Sequence, residues 1–241
     1  RHNYDRKLVY HSGSPNPAVV AYRADGRMIF FAENASTFVP EVDDNERLIR
    51  LVDGGGQLTG WRLIAADDSV ETYSPGGRLL SVVTRTGYSL GLTYDIYDRL
   101  QSVTDNFGRS LIFAYDSIHR LASVTDPAGQ HLAFGYDTLD RLVGVTYPDV
   151  SGSRTRTYLY QNASYANALT GIIDENTTPY ATYSYDGLGR VSVTARLATP
   201  TQEVDRYSLT YGSGSASVTD PLGVQRTFSF QSVANVLRAT A

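Results

Sequence analysis

Tyr94-Asp-Ile-Tyr-Asp-Arg-Leu100, Tyr115-Asp-Ser-Ile-His-Arg-Leu121 and Tyr136-Asp-Thr-Leu-Asp-Arg-Leu142 are copies of one seven-residue pattern, spaced 21 residues apart. One step back along the chain reaches Tyr73-Ser-Pro-Gly-Gly-Arg-Leu79, where a serine replaces the first aspartate. A further copy, Tyr185-Asp-Gly-Leu-Gly-Arg-Val191, lies outside the strict register. A fixed period of this length is typical of repeat architectures.

The residues that precede each tyrosine alternate between apolar and small or polar types. Because side chains alternate between the two faces of a strand, this pattern gives each strand an apolar stripe. The stripe comprises Leu111, Phe113 and Tyr115 in one period and Leu132, Phe134 and Tyr136 in the next. Two strands of about 5–6 residues and two turns fill such a period. The sequence therefore predicts an all-β fold of stacked antiparallel β-hairpins.

The turns can be predicted from the residue that precedes each repeated arginine. That residue is Gly77, Asp98, His119, Asp140 or Gly189, and these types tolerate positive φ better than most. We therefore expect a five-residue hairpin loop with a left-handed residue at this position. A second kind of turn is predicted at Asp126-Pro-Ala-Gly129 and Asp220-Pro-Leu-Gly223, where Asp, Pro and Gly fit a type I turn.

Composition excludes several classes of protein. The 241 residues carry a formal net charge of −4, which disfavours general nucleic-acid binding. The chain has no Cys, so disulfide scaffolds, thiolate metal sites and cysteine nucleophiles are excluded. It contains 18 Tyr and 21 Gly, as expected for many short strands and tight turns. We see no signal peptide or membrane-spanning segment, and we expect the chain to be a piece of a longer protein.

A search for reactive groups favours structural interpretations. The histidines His2, His11, His119 and His131 show no metal-ligand spacing. Aspartates that recur with the period are expected to cap the turn backbone or to pair with the repeated arginine. Asp43, Asp44 and Glu46 form the one acidic cluster that could support an enzyme, but a solvated loop is the simpler interpretation. We therefore expect no catalytic, cofactor-binding or metal-binding residue.

The repeated pattern Tyr-Asp-x-x-Gly-Arg-Leu resembles the RHS or YD repeat family. The strict register covers Tyr73 to Leu142, and the same style extends from about Thr59 to Phe230. The resemblance implies a spiral β-shell, a hollow cocoon that encloses a C-terminal toxin domain. Such shells occur in bacterial polymorphic toxins, type VI secretion effectors, insecticidal toxin complexes and teneurins. The self-cleaving Asp-Pro-x-Gly-Leu segment of bacterial members is absent, because Val224 follows Gly223.

This resemblance implies a division of the chain and a set of partners. Residues 1–60 are expected to form a β segment that precedes the repeats, and residues 61–241 the repeats, in one continuous structure. The implied partners are the C-terminal toxin domain of the same longer protein, neighbouring repeats, and components of a secretion system or toxin complex. The implied location is outside the bacterial cell or inside a target cell. Nucleic-acid binding and membrane insertion are not expected.

The residues expected to hold the repeats together are structural. They are Tyr73, Tyr94, Asp95, Tyr115, Asp116, Tyr136, Asp137, Tyr185, Asp186, Gly189 and Arg190. Tyr rings are expected to pack on neighbouring hairpins while each hydroxyl reaches a polar partner. One alternative remains open, an extracellular adhesion or carbohydrate-binding module that uses exposed tyrosines.

Overall fold

The computed structural model describes residues 4–13, 16–35, 37–40, 44–148, 152, 154–233 and 236–240. These residues form 22 β-strands. They are β1 (Lys7–His11), β2 (Ala18–Tyr22), β3 (Met28–Asn34), β4 (Thr37–Pro40), β5 (Arg47–Val52), β6 (Leu58–Ile64), β7 (Val70–Tyr73), β8 (Leu79–Val83), β9 (Ser89–Tyr94), β10 (Leu100–Asp105), β11 (Ser110–Tyr115), β12 (Leu121–Thr125), β13 (His131–Tyr136), β14 (Leu142–Tyr147), β15 (Arg154–Leu159), β16 (Gly171–Ile173), β17 (Pro179–Tyr185), β18 (Val191–Thr199), β19 (Gln202–Gly212), β20 (Ser215–Thr219), β21 (Gln225–Val233) and β22 (Val236–Ala239).

The strands pair antiparallel with their neighbours in sequence, as between β9 and β10 and between β13 and β14. The prediction of an all-β fold of antiparallel hairpins is therefore confirmed. No helix in the described part of the chain is long and apolar enough to cross a membrane.

Five residues connect the two strands of each Tyr-Asp hairpin, as predicted. In the turn Asp95–Arg99, the Asp98 amide donates to the Asp95 carbonyl, and the Asp95 amide donates to the Arg99 carbonyl. The fourth residue has positive φ at each predicted position: Gly77 (83°), Asp98 (68°), His119 (74°), Asp140 (61°) and Gly189 (76°). A register shift follows the turns at Arg78, Arg99, Arg141 and Arg190, for example between Leu100 and Ser102, so these turns end in a β-bulge.

The two kinds of turn that the sequence separates are one kind in the structure. Gly129 and Gly223 also have positive φ, and their amides donate to the carbonyls of Asp126 and Asp220. The same fourth-to-first hydrogen bond closes turns that begin at Arg23, Asp53, Ala65, Ser74, Thr84, Asp95, Asp105, Asp116, Asp126, Asp137, Asp174, Asp186 and Asp220. The proline at the second position is thus compatible with the turn, but it does not define a separate type.

The chain folds into two compact units, of which the first comprises Arg1–Ala114 and Thr125–Gly129. The first unit contains a core in which side chains of β1–β3 pack against those of β6–β10. Its most buried large residues are Phe31, Ile29, Trp61, Leu63, Tyr73 and Leu79. Phe38 and Trp61 pack edge to face in this core, with their ring centroids 5.3 Å apart.

The second unit comprises Tyr115–Val124 and Gln130–Ala241, and the two faces of its sheet carry different side chains. Directly opposed residues of antiparallel strands share a face. One face carries the opposed apolar sets Phe134–Val145, Tyr158–Ile172–Ala181 and Leu209–Val218, and also Arg156 opposite Val145 and Arg226 opposite Val218. The other face carries hydroxyl pairs, Thr146–Thr155 at 2.9 Å and Ser217–Thr227 at 2.7 Å. We call these the apolar face and the hydroxyl face of the second unit.

Gly189 provides a test of the turn geometry. Its φ is +76°, and a Cβ there would lie 2.9 Å from Cε1 of Tyr165. Gly189→Val should lower the free energy of unfolding by about 2 kcal/mol or more, because a β-branched residue is strained at positive φ. Leu188→Val is the matched control, since Leu188 is 74% exposed and its change should stay within about 0.5 kcal/mol. Equal urea midpoints for the two variants would contradict the turn geometry.

Candidate functional site

The first aspartate of each Tyr-Asp turn performs two tasks with its two oxygens. In the turn Asp137–Arg141, Oδ1 of Asp137 accepts hydrogen bonds from the amides of Leu139 (2.9 Å) and Arg141 (3.0 Å). Oδ2 accepts from Nε of Arg141 at 2.6 Å. The same arrangement recurs in the turns that begin at Asp95, Asp116 and Asp186. Turn capping and arginine pairing, the two roles expected from the sequence, therefore operate together.

The arginine of each turn also contacts the next hairpin. The Arg120 guanidinium lies 4.5 Å from the ring centroid of Tyr136, a distance at which cation–π attraction operates. Equivalent contacts join Arg78 to Tyr94 (4.8 Å), Arg141 to Tyr160 (4.8 Å) and Arg190 to Tyr211 (4.2 Å). Arg120, Arg141 and Arg190 therefore each connect an aspartate of their own turn to a tyrosine further along the chain, whereas the turn of Arg78 begins with Ser74 and has no aspartate.

The hydroxyl of the same tyrosine donates a hydrogen bond to the backbone of the preceding hairpin. The Tyr136 hydroxyl donates to the carbonyl oxygen of Leu121, the residue after Arg120, at 3.0 Å. The hydroxyls of Tyr94, Tyr160 and Tyr211 likewise donate to the carbonyls of Leu79, Leu142 and Val191 at 2.7, 3.0 and 2.8 Å. The expectation that each hydroxyl reaches a polar partner is confirmed at these tyrosines. We call the complete unit of aspartate, arginine, tyrosine and carbonyl the turn stack.

The expected repeat residues lie in the turns and turn stacks, except for three tyrosines. Tyr185 donates to the Leu169 carbonyl at 2.7 Å and ends β17, while Tyr115 ends β11 before its turn. Tyr73 differs because it is buried in the core of the first unit, where its hydroxyl contacts Glu71 instead of a carbonyl. The Tyr-Asp register thus begins, at Tyr73-Ser74, with a tyrosine in a different environment.

Two aspartates at the positive-φ position have a role that the sequence analysis missed. Asp140 accepts from Arg120 Nη1 at 2.6 Å, and Asp98 pairs with Arg78 in the same way. In both pairs the arginine comes from the preceding Tyr-Asp turn. The sequence contained a signal for this pairing, because an aspartate replaces the glycine that positive φ favours at these two positions.

Electrostatics within the turn stacks stabilise the carboxylates as anions. The guanidinium hydrogen bond from Arg99 lowers the pKa of Asp95, and that from Arg141 lowers the pKa of Asp137. At Asp186 the Arg190 amide, with the guanidinium, lowers the pKa. At Asp116 desolvation acts to raise the pKa, but hydrogen bonds from Arg120 outweigh it and lower it.

The first unit also contains a buried ionic cluster around Glu71, whose side chain is fully buried. Arg23 donates from both terminal nitrogens to the two Glu71 oxygens at 2.6 and 2.7 Å, and Arg6 and Tyr73 donate to the same carboxylate. Burial acts to raise the pKa of Glu71, but the hydrogen bonds and charge of Arg23 outweigh it and lower it. Burial and the Glu71 charge raise the pKa of Tyr73. Every Glu71 oxygen is satisfied, as a buried carboxylate requires.

The acidic cluster that could support an enzyme comprises Asp43, Asp44 and Glu46. Asp43 lies outside the described residues. Glu46 is buried and accepts from Arg27 Nη2 at 2.7 Å, while Asp44 pairs with Nη1 at 3.2 Å. The interpretation as a solvated loop is therefore wrong for Glu46, because its carboxylate is withdrawn from water and compensated by an arginine. Across the described ranges, no group of three or more His, Asp or Glu side chains converges as a metal site.

Comparison with known proteins gives the family of the repeats. Residues 115–149, which contain two of the Tyr-Asp turns, match the family model described as RHS Repeat. The chain therefore contains an RHS repeat in this segment. None of the curated proteins compared matches the chain.

Solved structures resemble this chain at low sequence identity. A crystal structure of TcdB2-TccC3-Cdc42 shows 11% identity and a TM-score of 0.37, over 95% of this chain and 16% of that chain. TcdB2-TccC3 without its hypervariable C-terminal region shows 14% identity and a TM-score of 0.36, over 98% and 19%. A Tc holotoxin pore of Photorhabdus luminescens shows 11% and 0.36, over 92% and 18%. The chain spans less than a fifth of the length of these matched chains.

The lowered pKa values predict an acid-sensitive fold. A carboxyl group whose pKa is lower in the folded than in the unfolded state contributes its full stability above the unfolded value of about 3.9, and loses it as the pH falls through the folded value. Unfolding free energy should therefore fall below about pH 4. Asp137→Asn keeps the capping oxygen but removes the ion pair, and Arg141→Gln removes the cation. Urea titrations should show a smaller acid-dependent loss in both variants, and an unchanged loss would contradict the assignment.

The hydroxyl contact of the turn stack can be measured separately. Tyr136→Phe removes the hydrogen bond to the Leu121 carbonyl but keeps the ring beneath Arg120, and it should cost about 0.5–1.5 kcal/mol. Tyr97→Phe, at a hairpin tip where Tyr97 is 60% exposed, is the control and should stay within about 0.5 kcal/mol. Equal denaturation midpoints for the two variants would show that the hydroxyl does not stabilise the stack.

Proposed function

We propose that this chain is a wall segment of an RHS β-shell, which encloses a C-terminal toxin or effector domain of the same longer protein for delivery. The match to the RHS Repeat model supports a structural repeat. The observation that carries the proposal is the difference between the two faces of the second unit, because hydroxyl pairs recur on one face and large apolar side chains on the other. A wall around a polypeptide needs one face toward the cargo and one toward water.

The turn stacks support an extendable wall. Arg120, for example, pairs with Asp116 of its own turn and contacts the Tyr136 ring of the following hairpin, so each hairpin helps to position the next. Repeat proteins of this kind derive stability from nearest-neighbour contacts and are lengthened by adding units. The strand edges at each end of such a segment remain open for pairing with neighbouring repeats. The segment therefore serves containment and carries no catalytic step itself.

The apolar face supports an inward orientation. Phe134 of β13, Tyr158 of β15 and Leu209 of β19 lie on it, while hydroxyl pairs such as Thr146–Thr155 lie on the hydroxyl face. Extended apolar surface of this kind is rarely left toward water in a soluble assembly. In the proposed shell, the enclosed polypeptide covers the apolar face.

The remaining expectations belong to the same proposal. Residues 1–60 form the segment that precedes the repeats, and residues 61–241 form the repeats. The partners are the enclosed domain, neighbouring repeats and components of a toxin complex or secretion system. The whole protein acts outside the producing bacterial cell or inside the target cell.

The absence of cysteine makes the orientation directly testable. Phe134→Cys places a thiol on the apolar face, and Ala133→Cys places one on the hydroxyl face; both positions are partly buried in this chain. In the 241-residue chain both thiols should react with a maleimide. In the longer protein, the thiol at position 134 should react with the maleimide at least about tenfold more slowly, a free-energy difference of about 1.4 kcal/mol or more. The thiol at position 133 should react as fast as before.

Equal labelling at the two positions in the longer protein would contradict the inward orientation. Circular dichroism of each variant controls for loss of the fold. The adhesion alternative predicts glycan binding that Tyr97→Ala abolishes, because Tyr97 is an exposed ring at a hairpin tip with Arg99 above it. A specific hit on a glycan array, lost in that variant, would favour adhesion over containment.

A further inference from the structure

Three aspartates of the chain are followed directly by glycine: Asp25-Gly26, Asp53-Gly54 and Asp186-Gly187. In such a pair the glycine amide nitrogen can attack the side-chain carboxyl carbon of the aspartate, because no Cβ on the glycine hinders the approach. The product is a five-membered succinimide ring, which water opens to aspartate or to isoaspartate. All three pairs lie in five-residue turns with the same backbone hydrogen bonds, and they differ in how the surrounding residues hold them.

At Asp25-Gly26 the attacking nitrogen is already engaged. The Gly26 amide donates to the Arg23 carbonyl oxygen at 3.0 Å, and the Arg27 amide donates to Oδ1 of Asp25 at 2.9 Å. The attack requires the first of these hydrogen bonds to open, which costs free energy. The turn therefore holds this pair in an unreactive arrangement.

At Asp186-Gly187 both the carboxylate and the glycine peptide group are held. Arg190 donates from Nε to Oδ2 of Asp186 at 2.8 Å, and the Tyr165 hydroxyl donates to the Gly187 carbonyl oxygen at 2.6 Å. The Arg190 amide and guanidinium also lower the pKa of Asp186, and an ionised carboxylate is a poorer electrophile than a carboxylic acid. This pair is therefore restrained at both reacting groups.

Asp53-Gly54 lacks these restraints. Gln57 occupies the fifth position of its turn instead of arginine, and both Asp53 and Gly54 are exposed. Within the described part of the chain, Oδ2 of Asp53 and the Gly54 amide have no hydrogen-bond partner. Oδ1 of Asp53 accepts from the amides of Gly55 and Gln57 at 2.9 Å, but Asp186 has the same cap, so the cap does not distinguish the two sites.

The backbone after Asp53 is also free to rotate. Gly54, Gly55 and Gly56 follow it in sequence, and a Cβ at Gly54 would meet nothing within 4 Å. Ring closure requires rotation of the backbone between Asp53 and Gly54, and consecutive glycines resist such a rotation least.

We propose that Asp53 is a site of spontaneous isoaspartate formation in the folded chain. The Gly54 amide nitrogen forms a bond to Cγ of Asp53 and loses its proton, and the carboxyl C–O bond breaks to release one water molecule. Water then adds at the backbone carbonyl carbon of Asp53 and breaks its bond to the Gly54 nitrogen. The chain now continues through Cγ, and the former backbone carbonyl has become a free carboxylate.

The conversion removes contacts that close this turn. Asp53 supplies the carboxylate that caps the turn and the carbonyl that accepts from the Gly56 amide at 3.0 Å, and isoaspartate lengthens the backbone there by one carbon. The turn joins β5 and β6, which place Leu48, Trp61 and Leu63 in the core of the first unit. Ageing at Asp53 therefore loosens the first unit.

Incubation of the folded 241-residue chain at neutral pH and physiological temperature tests the assignment. Isoaspartate is measured at each site by proteolysis, labelling with an isoaspartyl methyltransferase, and mass spectrometry. Position 53 should accumulate it at least about fivefold faster than position 25 or 186, because no hydrogen bond must open first. In urea the three rates should become similar. Equal rates in the folded chain, a faster rate at position 25 or 186, or an unchanged difference in urea would overturn the proposal.

Two variants test the restraints separately. Gly54→Ala places a Cβ beside the attacking nitrogen and fits the turn, since that Cβ meets nothing within 4 Å; isoaspartate at position 53 should fall to the level at position 186. Tyr165→Phe releases the Gly187 carbonyl and should raise the rate at position 186 about twofold or more, with no change at position 53. No decrease in the first variant, or no increase in the second, would overturn the proposal.

The effect on the first unit is measured on the same samples. The isoaspartate form, separated by ion-exchange chromatography, should melt about 2–4 °C below the unconverted wild-type chain. Gly54→Ala incubated for the same time should keep its melting temperature. An equal loss in Gly54→Ala, or no loss in the isoaspartate form, would overturn the proposed loosening.

Discussion

The arginine of each Tyr-Asp turn is shared between two hairpins, and the repeat depends on this sharing. Its Nε binds the aspartate that caps its own turn, and its guanidinium face lies against the tyrosine of the next hairpin. The tyrosine hydroxyl then binds the carbonyl immediately after the arginine. A planar, delocalised cation suits this position because it presents donors at its edge and a face for the ring, which a lysine ammonium does not. The turn stack therefore fixes both the geometry of the turn and the register between hairpins.

The two units use the same hairpins with different surroundings. In the first unit, side chains of β1–β3 pack over the strands that follow, and they bury Trp61, Leu63 and Tyr73. The first Tyr-Asp turn is adapted to this packing, because Gly77 receives the edge of β1 and Ser74 replaces the aspartate. In the second unit, Val145 and Ala181 are buried on the apolar face, and the larger apolar side chains there stay partly exposed.

Sequence periodicity predicts the local structure well, because turns and strand faces depend on residues close together in the chain. The positive φ at Asp98 and His119 followed from residue type and position alone. Contacts between distant segments were not predictable. Glu71 occupies a strand position that should be apolar. Its burial depends on Arg6, which precedes β1, and on Arg23, which follows β2. Glu46 was misjudged for the same reason, since its partner Arg27 belongs to a different hairpin.

The tyrosine-to-carbonyl contact stays the same while the number of residues between its two ends varies. The separation is 15 residues for Tyr136, 18 for Tyr160 and 20 for Tyr211. In the second unit, the turn stacks lie along one edge of the sheet, so the extra residues are accommodated in longer strands and connections toward the other edge. Insertions and deletions are therefore tolerated unequally: one edge keeps the spacing of hairpins constant, and the other is free to change length and composition during evolution.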